Sequence, residues 1–185
     1  MKKIPTLFDR DWDGDRSRVV NVPHKDCGWV IAGEGVATRK IDGTSCMVRD
    51  GKLFKRRELR KGDATPPDFE LATFDEETGK TVGWVPVGDG PDDRYHREAF
   101  EDGPHSNGTY ELIGPKIQGN PEKVERHMLI MHGLGYAGIL DDVPRDFDGL
   151  REYLAGKDIE GIVWHHSDGR MAKIKLRDFG HKRPR

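Results

Sequence analysis

Three short segments occur in order along the chain: Lys40-Ile41-Asp42-Gly43-Thr44, then Glu160-Gly161-Ile162-Val163, then Lys173-Ile174-Lys175. They supply a candidate nucleophilic amine, a carboxylate able to hold a divalent metal, and two cations able to neutralise a triphosphate. That is the equipment for attaching a nucleotide covalently to a lysine. A lysine amine has a reference pKa of about 10.4, so it attacks phosphorus only where its surroundings favour the neutral form. Lys173, Lys175, Arg56 and a bound metal would each press Lys40 that way and offset the triphosphate charge. Lys-x-Asp-Gly-Thr/Ser alone arises by chance in roughly one chain of this length in a few hundred, and its bland reading is a surface lysine beside a hairpin turn. The later carboxylate and lysine pair, in order, turn the argument towards chemistry.

These residues need strands to hold them. Gly28 to Ala32, Val36 to Lys40, Ser45 to Val48 and Lys52 to Arg56 read as a strand meander, with Asp42-Gly43 and Asp50-Gly51 as turns. Residues 62–107 are rich in Pro, Gly and acid and read as an irregular insertion, mostly loop, with a short helix near Asp93 to Phe100. Thr109 to Ile113 and Met128 to Met131 read as strands. Phe147 to Leu154, closed by Gly156, reads as a helix, and Ile159 to His165 with Met171 to Leu176 as a hairpin around Ser167-Asp168-Gly169. The expected class is α+β, one domain over residues 1–185 built of antiparallel sheets with flanking helices. Asp9, Asp11, Asp13 and Gly14 imitate a calcium loop, but its twelfth position is Val20 and not a bidentate Glu, which leaves an acidic turn.

At 185 residues the chain is long enough for one sizeable core. It has no run of about 18 apolar residues, and Met1-Lys2-Lys3-Ile4-Pro5 lacks a signal-peptide core, so the expectation is a soluble cytoplasmic protein without membrane partners. Cys27 and Cys46 offer neither a disulfide framework nor a zinc set. Net charge is only −2, but cations concentrate at Lys52, Lys55, Arg56, Arg57, Arg60 and Lys61, and in a basic tail over 176–185 that continues from Arg170, Lys173 and Lys175. If these segments meet they form a cationic floor for phosphates; otherwise they are solvated faces.

The motifs resemble the covalent nucleotidyltransferase superfamily of ATP-dependent DNA ligases, RNA ligases and mRNA capping guanylyltransferases. The likeness runs from about Val36 to Gly180. Lys40 takes the place of the adenylated lysine. Leu53-Phe54-Lys55-Arg56-Arg57 is similar to the arginine motif, with Arg56 the first choice and Arg57 the alternative. Tyr110-Glu111-Leu112-Ile113-Gly114 resembles the motif whose glutamate binds the ribose hydroxyl. Glu160 matches the metal-associated glutamate, and Lys173 and Lys175 the final lysine motif at the α-phosphate. Gly83-Trp84-Val85-Pro86-Val87, Gly119-Asn120-Pro121, and Trp164-His165 with Ser167-Asp168-Gly169 add a likeness to small RNA 5′-3′ ligases, including a vertebrate RNA repair ligase. The resemblance implies a ligase adenylation domain, ATP with Mg2+ or Mn2+, a lysyl-AMP on Lys40, and joining of RNA 5′-phosphate to 3′-hydroxyl ends.

Many such ligases carry a glutamate just before the nucleophile, or two before it, whereas this chain has Thr38 and Arg39, here taken as candidate nucleotide contacts. Only ten residues follow Lys175, so no OB-fold domain is expected and RNA would be held by residues 62–107, the basic tail or a partner. Ile130, within Leu129-Ile130-Met131, is the candidate to pack on adenine. His165 and His166 are adjacent on a strand and so point opposite ways, which disfavours joint metal ligation. Trp84 and Trp164 read as core before base-stacking platforms. The competing readings are a GTP-dependent capping guanylyltransferase and a non-catalytic RNA-end-binding module on a ligase scaffold.

Overall fold

The structure is a computed structural model and describes residues 4–75, 79–133 and 138–183. Met1-Lys2-Lys3 at the start and Arg185 of the basic tail lie outside the described residues. In chain order the elements are β1 (Phe8–Arg10), β2 (Val19–Pro23), α1 (Gly28–Ile31), β3 (Val36–Lys40), β4 (Thr44–Arg49), β5 (Lys52–Leu59), β6 (Glu70–Asp75), β7 (Lys80–Pro86), α2 (Arg94–Glu101), β8 (Gly108–Ile113), β9 (Met128–Met131), α3 (Phe147–Ala155), β10 (Gly161–His165) and β11 (Met171–Lys175). Antiparallel strands with a few short helices fit the α+β class. The chain divides into two compact units, Ile4–Ile41 with Gly133–Arg185, and Asp42–His132.

The first unit is built on the antiparallel sheet β11-β10-β3 and the small β1-β2 pair. Alternation along β10 and β11 sends Ile162, Trp164, Ala172 and Ile174 into a core with Leu7, Phe8, Trp29, Val30, Leu150 and Leu154. α3 starts at Asp146, whose carboxylate accepts the Gly149 amide at 2.9 Å. Both sheet edges are closed by short segments: Leu7 donates its N–H to the Lys173 carbonyl at 2.7 Å, and Leu140 donates to the Ala37 carbonyl at 2.9 Å.

The second unit holds a six-stranded sheet in the order β6-β7-β5-β4-β8-β9. Asp50-Gly51 makes the expected two-residue turn between β4 and β5, with φ of 52° and 70° at the two central positions. Cys46, Val48, Leu53, Tyr110, Leu112 and Leu129 point to one face and pack with Ala99 of α2.

Three expectations change. Gly28 to Ala32 reads as a strand in the sequence, but Gly28–Ile31 is one helical turn that buries Trp29 and Val30, with the Trp29 Nε1–H donating to the Asp26 carbonyl; so short an apolar run carries no readable period. Asp42-Gly43 does not close a hairpin, because β3 and β4 belong to different sheets. Residues 62–107 are less irregular than their composition suggests: β6 and β7 pair through Glu70–Asp75 and Lys80–Pro86, although the helix near Asp93 is present as α2. Pro86 ends β7, where a missing amide is tolerated, and Gly83 sits where a Cβ would strike the Glu70 carbonyl and the Phe69 ring.

Candidate functional site

In the first unit, the register of three strands decides which side chains share a face. Lys40 pairs with Gly161 and Gly161 with Lys175, while Thr38 pairs with Val163 and Val163 with Lys173. Directly paired residues lie on one face and alternate residues repeat it, so Thr38, Lys40, Lys173 and Lys175 share a face. Arg39 falls on the other face, beside Ile162 and Ile174. Gly161 has a steric reason to be glycine: a Cβ there would strike the Ile174 carbonyl oxygen.

Glu160 stands just before β10 and joins the two lysines. Lys40 Nζ donates to Glu160 Oε2 at 2.6 Å, and Lys175 Nζ to Glu160 Oε1 at 2.5 Å. All three side chains are mostly buried. Burial alone would raise the carboxyl, but Lys40 and then Lys175 outweigh it and hold Glu160 below its ordinary 4.5. Lys175 is pushed below its ordinary value, first by burial and then by the Lys40 ammonium. The cluster thus pairs one carboxylate with two cations, one of which is held in a setting that weakens its grip on the proton.

Thr38 is 1% exposed, its hydroxyl donating to the Val163 carbonyl at 3.2 Å and lying 3.0 Å from His165 Nε2. His166 meets Glu34 at 2.7 Å and Asp168 at 2.8 Å. Trp164 is fully buried and Trp84 5% exposed, as core residues. Several cations of the C-terminal segment are matched by carboxylates, Arg170 by Asp168 and Arg183 by Asp158. Among the described residues no three His, Cys, Asp or Glu side chains converge as a metal cage.

In the second unit, β4 links β5 to β8. Ser45 pairs with Glu111, Glu111 with Ile130, and Met47 with both Phe54 and Thr109. Period two then puts Arg56, Ser45, Glu111 and Ile130 on one face, and Arg57 on the opposite face with Lys55 and Leu53. Arg56 and Arg57 are both exposed. Glu111 is 8% exposed, its Oε2 2.9 Å from His132 Nε2, and His132 Nδ1 is 3.0 Å from Thr109 Oγ1. Lys55 is bound to Asp93 at 2.5 Å. A Cβ on Gly43 would strike the Leu112 carbonyl oxygen and come within 3.0 Å of the Glu111 side chain, so this glycine serves close packing.

Two residues on this face escape motif reading. Ser45 Oγ is buried and has no hydrogen-bond partner, an unsatisfied group that stands out only once the register is known. His132 is tied to Glu111 across two strands, a link that one-dimensional spacing does not reveal. Cys27 and Cys46 are free and buried, and burial pushes their thiols up to about 11 and about 12, which makes them poor nucleophiles.

Against this geometry, a family model covers the C-terminal part of the chain. Residues 104–185 match the family model described as RNA ligase 1. Over 82 residues the chain is 39% identical to RNA ligase 1 of Pongo abelii, covering 39% of this chain and 24% of that protein. The figure for RNA ligase 1 of Rattus norvegicus is 38% over 82 residues, with the same coverage. For that of Danio rerio it is 35% over 85 residues, covering 41% of this chain and 25% of the relative. The matched stretch spans about a quarter of these curated relatives. The resemblance to the RNA ligase family thus holds over residues 104–185, which include Glu111, Ile130, Glu160, Lys173 and Lys175. Lys40, Arg56 and Arg57 lie outside that stretch, and their assignment rests on motif and geometry. No helix among the described residues is long and apolar enough to cross a membrane.

Proposed function

We propose that the chain is a nucleotidyltransferase domain of an ATP-dependent RNA ligase, joining RNA 5′-phosphate and 3′-hydroxyl ends through a lysyl-AMP on Lys40. The observation that carries this reading is the sharing of Glu160 by Lys40 and Lys175. In the first step neutral Lys40 Nζ attacks the α-phosphorus of ATP; the N–P bond forms, the bond to the bridging oxygen breaks, and pyrophosphate leaves. The proton that Lys40 must lose faces Glu160 Oε2 at hydrogen-bond distance. Lys175 and Lys173 share the face of Lys40, where cations stabilise the charge that develops on phosphoryl oxygens. In the later steps AMP passes to an RNA 5′-phosphate and a 3′-hydroxyl displaces it.

Magnesium keeps several waters and is commonly carried by one or two carboxylates with substrate phosphates. Among the described residues no three such ligands converge, so Glu160 would hold magnesium or manganese in that way and not in a cage made wholly of protein. Such an ion supplies charge neutralisation of the triphosphate. Arg56, Glu111 and Ile130 are proposed nucleotide contacts, a role supported by their common face. Thr38 and Arg39 are proposed only as flanking residues of the nucleophile.

The test is to supply ATP, magnesium and an end-labelled single-stranded RNA with a 5′-phosphate and 3′-hydroxyl. Joined or circular RNA, with 5′-adenylated RNA as the transient species, is expected. A 5′-hydroxyl RNA joined equally well would contradict the assigned end chemistry.

A further inference from the structure

The end of β11 is held by charges that lie far apart in sequence. Asp178 is 1% exposed. Its Oδ2 accepts the backbone N–H of Lys175 at 2.9 Å, and its Oδ1 meets Arg10 Nη1 at 2.9 Å. A carboxylate this deeply buried is costly unless each oxygen is satisfied, and here one bond is spent on the residue that contacts Glu160. Arg10 is itself anchored, donating to the Ser17 carbonyl at 2.9 Å and towards Thr6 Oγ1 at 3.4 Å. The segment leading into it runs along the outer edge of β11: Lys173 donates to the Pro5 carbonyl at 3.0 Å and Leu7 donates to the Lys173 carbonyl. Both functional lysines of β11 therefore rest on the segment Pro5–Arg10.

We infer that Arg10 and Asp178 are positioning residues for Lys175, fixing its backbone so that Nζ meets Glu160. The inference rests on the ligase reading for its catalytic consequence, but its structural content stands apart from that reading. Lys175 is the last residue of an outer strand, where pairing frays unless a side chain ties it down. Asp178 lies within the stretch similar to RNA ligases, whereas Arg10 lies outside it.

Two measurements on the full chain test this. Hydrogen exchange of the Lys175 amide should quicken at least tenfold in Asp178→Ala, and in Arg10→Ala to a smaller extent, with circular dichroism of the fold retained; unchanged protection in both variants overturns the inference whatever the activity. Single-turnover lysyl-AMP formation at saturating ATP should fall roughly tenfold in Arg10→Ala, recover in part in Arg10→Lys, and show little further loss when Arg10→Ala is added to Lys175→Ala. Full additivity in that double-mutant cycle would mean that Arg10 does not act through Lys175. If the wild-type chain forms no lysyl-AMP, the ligase reading fails while the exchange measurement still decides the clamp.

Discussion

Lys40 and Lys175 reach the same carboxylate from β3 and β11, one bound to each oxygen of Glu160. Single-stranded sequence distance says nothing of this, since 120 residues separate Lys40 from Glu160. The bridge joins the nucleophile candidate to the phosphate-binding candidate through the residue expected to associate with metal. It also makes the cluster sensitive to loss of any one member.

Stability should depend on pH through this bridge. Glu160 is held below 4.5 in the folded state, so as pH falls past that value the unfolded chain takes up a proton first, and stability declines until the folded carboxyl is protonated. Lys175 is displaced below 10.5, so between its folded value and 10.5 the unfolded chain holds the extra proton and stability rises with pH. Urea midpoints measured from about pH 6 to about pH 3 should fall, and Glu160→Gln should flatten that part of the curve. Glu160→Ala should cost about 3 kcal/mol near neutrality because two ammonium groups lose their partner.

The two adjacent arginines should separate functionally. Arg56 shares the face of Glu111 and Ile130, whereas Arg57 shares that of Lys55. Arg56→Ala should slow single-turnover lysyl-AMP formation roughly a hundredfold, with Arg57→Ala within about threefold of the wild type. Equal losses would contradict the face assignment.

Gly161 and Gly43 should resist substitution for steric reasons. Alanine at 161 would press on the Ile174 carbonyl, next to Lys175; alanine at 43 would press on the Leu112 carbonyl and the Glu111 side chain. Each change should cost about 2 kcal/mol by overpacking, read as a lowered denaturation midpoint. Gly51→Ala makes a contrast, since no heavy atom lies within 4 Å of its Cβ position and φ is 70°; its cost is backbone strain alone.

Much of the strand framework was legible because Gly and Asp-Gly signals bound the short runs that form β4, β5, β10 and β11. The helix α3 was legible from Gly156, which closes it. α1 was not, since four residues carry no period, and β6 and β7 were hidden by glycine, proline and acid that the paired sheet accommodates. The ordered motif residues were visible one by one, but their faces were not. Which partners Arg56 and Arg57 share a face with emerges only by following register from β5 through β4 to β8, and Arg39 falls beside Ile162, and Lys40 beside Gly161, only once β3 is paired with β10. Ser45, His132 and the Arg10–Asp178 pair carry no local signal: His132 and the Arg10–Asp178 pair are defined by partners on another strand or loop, and Ser45 by a buried hydroxyl without a partner.

The most direct test of the central claim is intact mass of the purified chain after incubation with magnesium and ATP or GTP, with starting adenylation checked and Lys40→Ala as the control. A gain of one AMP from ATP that is absent in Lys40→Ala is the predicted result. An adduct that persists in Lys40→Ala, a GMP gain in place of AMP, or no adduct on unmodified protein would contradict it.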